Sequence, residues 1–312
     1  MLLSIIIPVY NASNYIDGFL TNIESSIRPD YEVVFVDDGS TDDTLLKLER
    51  YKLINPKISV FHQENSGPSI ARKTGLDNCA GKYVMFVDVD DEFSNDFFTK
   101  MLSSISFGNY DIVECGYYTS SKIKKAHSPQ RVSNIKPINR FLNNKTTHFL
   151  WDKIYKRELL KLCVFPHLYY SEDAYILLQA YAYAQSIGIV RECLYTHYVG
   201  GNSLTGKFNI LMMDRIHSGI LMIEFLNKKC PKCSSVSLKY YVCKYSAKNS
   251  LAIAKYDNKN SNARKECLMA FFKYYSFWPF LLCLLKCRVS IKSFCGIIFF
   301  RFTKKRPYEL CC

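Results

Sequence analysis

The first hundred residues alternate between short apolar runs and amphipathic segments. The apolar runs occupy positions 3–7, 32–36, 58–61 and 83–87, and they begin 29, 26 and 25 residues apart. That interval fits a strand followed by a crossover helix. The runs are continuous and do not alternate with polar residues, which is typical of strands buried on both faces of a parallel sheet. The pattern predicts a doubly wound α/β unit.

The segments between the runs predict helices that cover this sheet. One helical face contains Ile16, Phe19, Leu20, Ile23 and Ile27, and a second contains Leu45, Leu46, Leu48 and Leu53. We expect Ser40 or Thr41 to cap the second helix and Pro68 to lie in the first turn of a third. Sheets of this kind bind ligands outside the carboxyl ends of their strands. The polar segments after the four runs are therefore the candidate site.

The fourth run ends in Asp88-Val89-Asp90-Asp91. On an extended chain Asp88 and Asp90 point the same way, and paired carboxylates suit Mg²⁺ or Mn²⁺ bound together with substrate phosphates. The alternative is a capped turn whose acids face water. Asp37 and Asp38 follow the second run, where they could bind a nucleoside, cap a helix, or do both.

Two further segments lie beyond this unit, after a variable stretch at 119–144. Glu172 and Asp173 precede a helix that we expect to reach about Gln185, and a carboxylate there could serve as a general base. The alternative is that both acids only favour the helix N-terminus. Trp151, Asp152 and Lys153 are either a core anchor with a solvated charge pair or part of an acceptor cleft.

Charge is distributed unevenly along the 312 residues, of which 48% are hydrophobic. Residues 1–204 have a net charge of −2 and residues 205–312 a net charge of +15, which together make +13. A nucleic-acid reader should carry basic and aromatic groups on its folded domain, so we expect no nucleic-acid partner. Basic residues flank short aromatic runs within 270–312, a pattern that suits an anionic membrane surface. A helical bundle with a solvated basic face is the alternative.

Other chemical signals are weak. The 13 cysteines have no regular spacing, which favours free thiols in a reducing cytoplasm, and Cys230-Pro231-Lys232-Cys233 lacks a second pair for zinc. The segment 201–207 has P-loop spacing, but Phe208 stands where Ser or Thr should meet Mg²⁺. No apolar run approaches the ~20 residues of a membrane-spanning helix.

Four segments, at 4–11, 36–42, 65–72 and 81–91, resemble in order and spacing the family 2 glycosyltransferases of the GT-A fold, especially those that build bacterial surface polysaccharides. The segments 151–155 and 170–173 resemble the acceptor-side motifs of that family. The resemblance implies an α/β fold with a Rossmann-like, mostly parallel sheet. It also implies a catalytic domain at 1–204, with a nucleotide-sugar half (1–115) and an acceptor half (116–204), followed by a basic helical region at 205–312.

The same resemblance implies residue roles in an inverting transfer from a nucleotide-sugar, usually a UDP-sugar, to a glycan or lipid-linked acceptor. Asp173 would be the base, and Asp90 with Asp88 would hold Mn²⁺ or Mg²⁺. Nucleotide contacts would come from Pro8, Tyr10, Asp37, Asp38, Arg72 and Asp88. Acceptor binding or support would come from Asp91, Trp151, Lys153, Glu172, His197 and Ser203.

Two other functions remain open from the sequence. A sugar nucleotidyltransferase would share a nucleotide-binding sheet, although its Gly-rich loop after the first strand is missing here. A non-catalytic protein that binds membrane surfaces would explain the basic tail alone. For the transferase we expect a cytoplasmic location on the inner face of the cell membrane.

Overall fold

A computed structural model describes residues 2–120, 125–127, 136–198, 209–233, 236–256 and 261–274. The strands are β1 (Leu3–Val9), β2 (Tyr31–Asp37), β3 (Ile58–His62), β4 (Tyr83–Phe86), β5 (Glu92–Phe93), β6 (Ile112–Ser120), β7 (Lys125–His127), β8 (Lys153–Lys156) and β9 (Ile187–Tyr198). The helices are α1 (Ile16–Ser26), α2 (Thr44–Ile54), α3 (Pro68–Asn78), α4 (Phe97–Gly108), α5 (Pro137–Leu142), α6 (Arg157–Leu160), α7 (Glu172–Tyr183), α8 (Asp214–Lys229), α9 (Val236–Tyr256) and α10 (Ser261–Tyr274). The chain divides into two compact units, Met1–Gly206 and Lys207–Cys312.

One sheet organises the first unit. Its strand order is β3-β2-β1-β4-β8-β6-β9-β5, with β7 paired to β6. The four predicted strands form its parallel half, where β2 and β4 flank β1 and β3 flanks β2. Beyond β4 the sheet is mixed: β8 pairs antiparallel with both β4 and β6, whereas β6 and β9 are parallel. The α/β fold class is confirmed, with antiparallel pairing throughout the second half of the path except between β6 and β9.

Alternate residues of β1 point into two different helical layers. Ile5 and Ile7 belong to the core cluster that also contains residues of α1 and α4. Ile6 faces the other side, where a Cβ added at Gly75 of α3 would lie 2.3 Å from its Cγ2 atom. The helix therefore packs very close to the strand, and this close approach fixes Arg72, one turn earlier on α3.

The predicted cap of α2 is wrong. The helix begins at Thr44, with Asp43 rather than Ser40 or Thr41 in the N-cap position. The Oγ atom of Ser40 accepts a hydrogen bond from the backbone N–H of Asn11 at 2.9 Å, and the Thr41 N–H donates to Asn11 Oδ1 at 2.8 Å. Both residues are used to join two loops, which competes with helix capping.

The predicted apolar faces of the first two helices are buried to different extents. Ile16, Phe19, Leu20 and Ile23 of α1 are buried as predicted. In α2 only Leu48 of the predicted leucines is fully buried, whereas Leu46 and Leu53 are exposed. The α3 prediction is confirmed, because Pro68 occupies its first turn, and α7 begins at Glu172 and ends two residues before the expected limit.

The second unit is helical where it is described. Helix α9 packs against α8 and α10, and a Cβ at Gly219 would lie 2.6 Å from the Val242 side chain, so α8 and α9 approach closely. Cys230 and Cys233 lie at a turn that follows α8, where the Cys233 N–H donates to the Cys230 carbonyl at 2.8 Å. Across the described part of the chain, no helix combines the length and apolar character needed to cross a membrane.

Candidate active site

The loops that follow β1 and β2 are tied together at the carboxyl edge of the sheet. Asn11 lies in the left-handed region with φ of 49°, a conformation that asparagine tolerates well. Besides the Asn11 bonds, the backbone N–H of Ala12 donates to Thr44 Oγ1 at 2.8 Å. These bonds hold Pro8 half-buried and leave the Tyr10 side chain 51% exposed at the edge of the cleft.

Asp37 is fully enclosed at the end of β2. Its Oδ2 atom lies 2.7 Å from His62 Nδ1 and accepts a hydrogen bond from the Ser40 N–H at 3.2 Å. Its Oδ1 atom is buried without a hydrogen-bond partner in the described residues. The carboxylate thus orients the half-exposed imidazole of His62 at the end of the neighbouring strand.

Asp38 organises the loop between β3 and α3. Its Oδ1 accepts hydrogen bonds from Gln63 Nε2 at 2.7 Å and from the Ser66 N–H at 2.9 Å, and its Oδ2 accepts one from the Gly67 N–H at 2.8 Å. The structure therefore gives Asp38 a supporting position, and its contact with a nucleoside stays a prediction, as does that of Asp37.

Arg72 joins the two halves of the candidate site. Its guanidinium is buried, and its Nη2 atom donates to Asp88 Oδ1 at 3.0 Å. Its Nη1 atom donates to Glu172 Oε1 at 3.0 Å and to Asp173 Oδ1 at 2.9 Å. One cation is thus shared among three carboxylates, one from the turn after β4 and two from α7. The tertiary structure brings together residues that are about a hundred positions apart.

The carboxylate pair at the start of α7 is electrostatically unusual. Burial and the charge of Asp173 together raise the pKa of Glu172 to about 8, although Arg72 opposes the rise. Burial also raises the pKa of Asp173, again against the effect of Arg72. A carboxylate with a raised pKa is better matched to accepting a proton near neutral pH than an ordinary aspartate.

The backbone before α7 is held in an uncommon conformation. Ser171 has φ of 60°, a left-handed conformation that is sparsely populated by residues other than glycine and asparagine. This turn directs the first two residues of the helix towards Arg72. The backbone N–H of Leu150 lowers the pKa of Asp173, so the loop before β8 lies beside the same carboxylate.

Asp91 anchors the turn after β4 to strand β9. Its Oδ2 accepts a hydrogen bond from the Tyr195 O–H at 2.9 Å, and its Oδ1 accepts one from the Tyr198 N–H at 2.9 Å. His197 Nδ1 lies 3.1 Å from both oxygens. Burial lowers the pKa of His197, but the hydrogen bond and charge of Asp91 raise it by more. The Tyr195 hydroxyl also accepts from the Asp88 N–H at 3.2 Å.

Asp90 differs from its two neighbours, because only its own backbone amide serves as a hydrogen-bond donor to it among the described residues. The residue is exposed, yet desolvation by the surrounding protein and the charges of Asp88 and Asp91 together raise the pKa of its carboxyl to about 6. An unpaired carboxylate under this repulsion fits a hard divalent cation. The described residues contain no group of three His, Cys, Asp or Glu side chains placed to hold a metal ion together.

Trp151 and Lys153 are buried supports. Lys153 Nζ donates to Asp152 Oδ1 at 2.5 Å, to Thr147 Oγ1 at 2.5 Å and to the Phe149 carbonyl at 2.9 Å. These bonds use all three donors of the ammonium group. The Trp151 ring stacks on Tyr195 at 4.6 Å between centroids, with the planes 11° apart. The possibility of a solvated charge at Lys153 is therefore wrong, since the side chain is fully buried.

The structure gathers most of the predicted residues and adds others. Asp88, Arg72, Glu172 and Asp173 form one cluster, and Asp91 and His197 form the adjoining one, whereas Ser203 lies outside the described residues. The sequence placed His62 among the polar residues after the third run but assigned it no role, and it assigned none to Tyr195, which carries no local signal.

Comparisons with known proteins agree with this architecture. The family model described as glycosyl transferase family 2 matches residues 4–163, half of the chain. A Bacillus subtilis protein named uncharacterized glycosyltransferase EpsJ is 30% identical over 220 residues, which cover 65% of this chain and 63% of that protein. The chain thus spans slightly less than two thirds of that relative.

Solved structures share the fold at lower identity. S. aureus TarS, crystallised as a fragment with UDP-GlcNAc, has a TM-score of 0.71 and 20% identity, covering 97% of this chain and 91% of that one. The Pyrobaculum calidifontis mannosyltransferase PcManGT, in complex with GDP-Man and Mn²⁺, has a TM-score of 0.53 and 18% identity, covering 96% and 86%. At these identities the likeness shows the fold.

The family match and the site describe the same part of the molecule. The matched residues include all four parallel strands, the carboxylates after β4 and the arginine of α3 that binds one of them. The family model therefore covers the strand ends at which these groups meet. The resemblance noticed in the sequence is therefore confirmed, and the chain belongs to glycosyl transferase family 2 and has its GT-A fold.

Proposed function

We propose that the protein transfers a sugar from a nucleotide-sugar, with UDP as the favoured nucleotide, to a hydroxyl of a glycan or lipid-linked saccharide, with inversion at the anomeric carbon. The observation that carries the proposal is the Arg72 cluster, which joins Asp88 on the donor side to Asp173 on the other side. UDP-GlcNAc in the TarS complex supports a UDP-sugar. Family membership supports transfer rather than nucleotidyl chemistry.

The residues support a single displacement. Asp173 takes the proton of the acceptor hydroxyl, the acceptor oxygen forms a bond to the anomeric carbon, and the bond from that carbon to the diphosphate breaks. One base is sufficient for this step, and no carboxylate nucleophile is required, unlike in a retaining hydrolase. Arg72 holds Asp173 in place. Its positive charge offsets part of the negative charge of the three carboxylates that it contacts.

Asp90 is the residue that would hold a divalent cation, with Asp88 beside it. Arg72 occupies one oxygen of Asp88, whose side chain remains 28% exposed. The bound cation would neutralise charge on the departing diphosphate. Tyr10 and Pro8 would contact the nucleoside at the other end of the cleft. Asp91 would keep Tyr195 and His197 beside the turn that carries both acids.

The decisive test is an Asp173→Asn substitution, assayed by release of nucleoside diphosphate from a panel of UDP-sugars and GDP-mannose with Mn²⁺, with and without a prenyl-diphosphate-linked saccharide. We expect acceptor-dependent release to fall by about 10²- to 10⁴-fold, because asparagine keeps the shape but accepts no proton. Binding of the donor nucleotide, measured by calorimetry, should change less than about twofold.

Asp77→Asn provides the matched control. Asp77 lies on α3, is exposed and pairs with Lys73 away from the cluster, so the same chemical change should leave release unaltered. If Asp173→Asn retained wild-type turnover, the assignment of the base would be wrong. If the wild type released no nucleotide from any donor, the transferase proposal itself would be contradicted.

We further infer that the protein works at the inner face of the cell membrane, held by its basic C-terminal region. The support is the net charge of +15 in residues 205–312 and the basic residues beside aromatic runs in 270–312. Of that last range, the structure describes only positions 270–274.

A further inference from the structure

Phe149 is an exposed aromatic residue on the loop before β8. Its side chain is 39% exposed, whereas its neighbours Leu150 and Trp151 are buried. The Phe149 ring stacks on Trp151 with 5.0 Å between centroids and 13° between planes. One face of the ring is thus covered by tryptophan, which leaves the outer part available.

The protein fixes both the ring and the backbone of Phe149. Lys153 donates to the Phe149 carbonyl at 2.9 Å while it is paired with Asp152 inside the protein. Burying such an ion pair has a desolvation cost. One of the three hydrogen bonds that Lys153 donates nevertheless goes to the backbone of Phe149, an exposed residue. Trp151 is itself held between Phe149 and Tyr195. Phe149 is therefore presented in a defined orientation.

The loop that carries Phe149 also runs beside the candidate base. The backbone N–H of the following residue, Leu150, is close enough to Asp173 to lower the pKa of that carboxyl. An acceptor hydroxyl must come within hydrogen-bond reach of the base to lose its proton. The ring that bears this hydroxyl must then lie within a few ångströms of the same loop. His197, whose ring is 5.9 Å from that of Phe149, borders the same place.

We propose that the exposed part of the Phe149 ring is an acceptor subsite that stacks against a pyranose ring. One face of a pyranose consists of C–H groups with partial positive charge, and the face of an aromatic ring is negative. Trp151 supports the ring, and Lys153 positions its backbone. This proposal rests on the proposed function, because it identifies where the saccharide acceptor binds.

The test uses methyl β-glycosides of glucose, galactose and N-acetylglucosamine as probes, with binding to the full chain followed by saturation-transfer NMR. For the wild type we expect transfer to the ring C–H protons of at least one glycoside. Phe149→Ala and Phe149→Leu should each weaken that binding at least tenfold, because leucine keeps apolar bulk but lacks a π face. Phe149→Tyr should remain within about threefold of the wild type.

Phe107→Ala is the matched control. It makes the same substitution at another surface phenylalanine, because Phe107 on α4 is 92% exposed. Its binding should equal that of the wild type. The proposed subsite would be wrong if Phe149→Ala or Phe149→Leu bound the glycosides as tightly as the wild type does. It would also be wrong if the wild type bound no glycoside. Nucleotide release by the wild type without glycoside, measured in the same preparations, tests the proposed function separately.

Discussion

At the scale of single residues, the three carboxylates after β4 have different tasks despite their proximity. Arg72 donates a hydrogen bond to Asp88, and residues of β9 donate hydrogen bonds to Asp91. At Asp90, desolvation and the charges of the two neighbouring acids raise the pKa to about 6. We predict that Asp90→Asn increases the Mn²⁺ concentration for half-maximal nucleotide release at least tenfold, because the carboxylate that would meet the cation is lost. A Mn²⁺ titration of activity measures this shift.

Asp77→Asn again serves as the control, because this surface carboxylate lies apart from the cluster. Its Mn²⁺ dependence should match that of the wild type. An unchanged Mn²⁺ requirement in Asp90→Asn, or full activity of the wild type in excess chelator, would contradict a cation at this residue.

At the scale of elements, Arg72 connects helix α3 to strand β4 and helix α7. Its replacement by methionine would leave three neighbouring carboxylates without their shared cation in a largely buried site. We predict that Arg72→Met lowers the free energy of unfolding by about 3 to 5 kcal/mol, which is the usual cost of breaking a buried ion pair. Urea unfolding followed by circular dichroism at pH 7 measures it.

Lys73→Met is the control on the same helix. Lys73 pairs with Asp77, and both side chains are exposed, so we expect a change below about 0.5 kcal/mol. Similar losses of stability in the two variants would show that Arg72 contributes no more than a surface ion pair.

At the scale of the whole molecule, the two compact units differ in charge. The first contains the site and has a net charge of −2, whereas the second contains α8, α9 and α10 and has a net charge of +15. Phe271 and Tyr274 of α10 are buried, so a clean truncation should retain them. We predict that deleting 275–312 releases the protein from phosphatidylglycerol-rich vesicles while nucleotide release persists, because basic residues near apolar runs are removed. Co-sedimentation with vesicles measures the loss.

Vesicles of phosphatidylcholine alone distinguish charge attraction from apolar insertion. The full chain should bind them more weakly than anionic vesicles, and added salt should reduce binding to the anionic ones. Unchanged sedimentation of the truncated protein with anionic vesicles would contradict a membrane role for this segment.

Much of the fold followed from local patterns. The four parallel strands, the acids at their ends and the start of α7 each depend on a stretch of about ten residues, because side-chain periodicity and turn chemistry act over that distance. The predicted cap of α2 was wrong because it depends on contacts with residues far away in the sequence. Asn11, about thirty residues away, binds Ser40 and Thr41, and no local pattern reports that competition.

The sequence by itself determined which residue types stand at the ends of the parallel strands, and with them the family and the class of chemistry. Only the tertiary structure decided how those residues are used. It placed Arg72 between Asp88 and Asp173, enclosed Lys153 completely and presented Phe149 at the surface. These outcomes depend on contacts among α3, the turn after β4, α7 and β9, which join residues about a hundred positions apart that no sequence period relates.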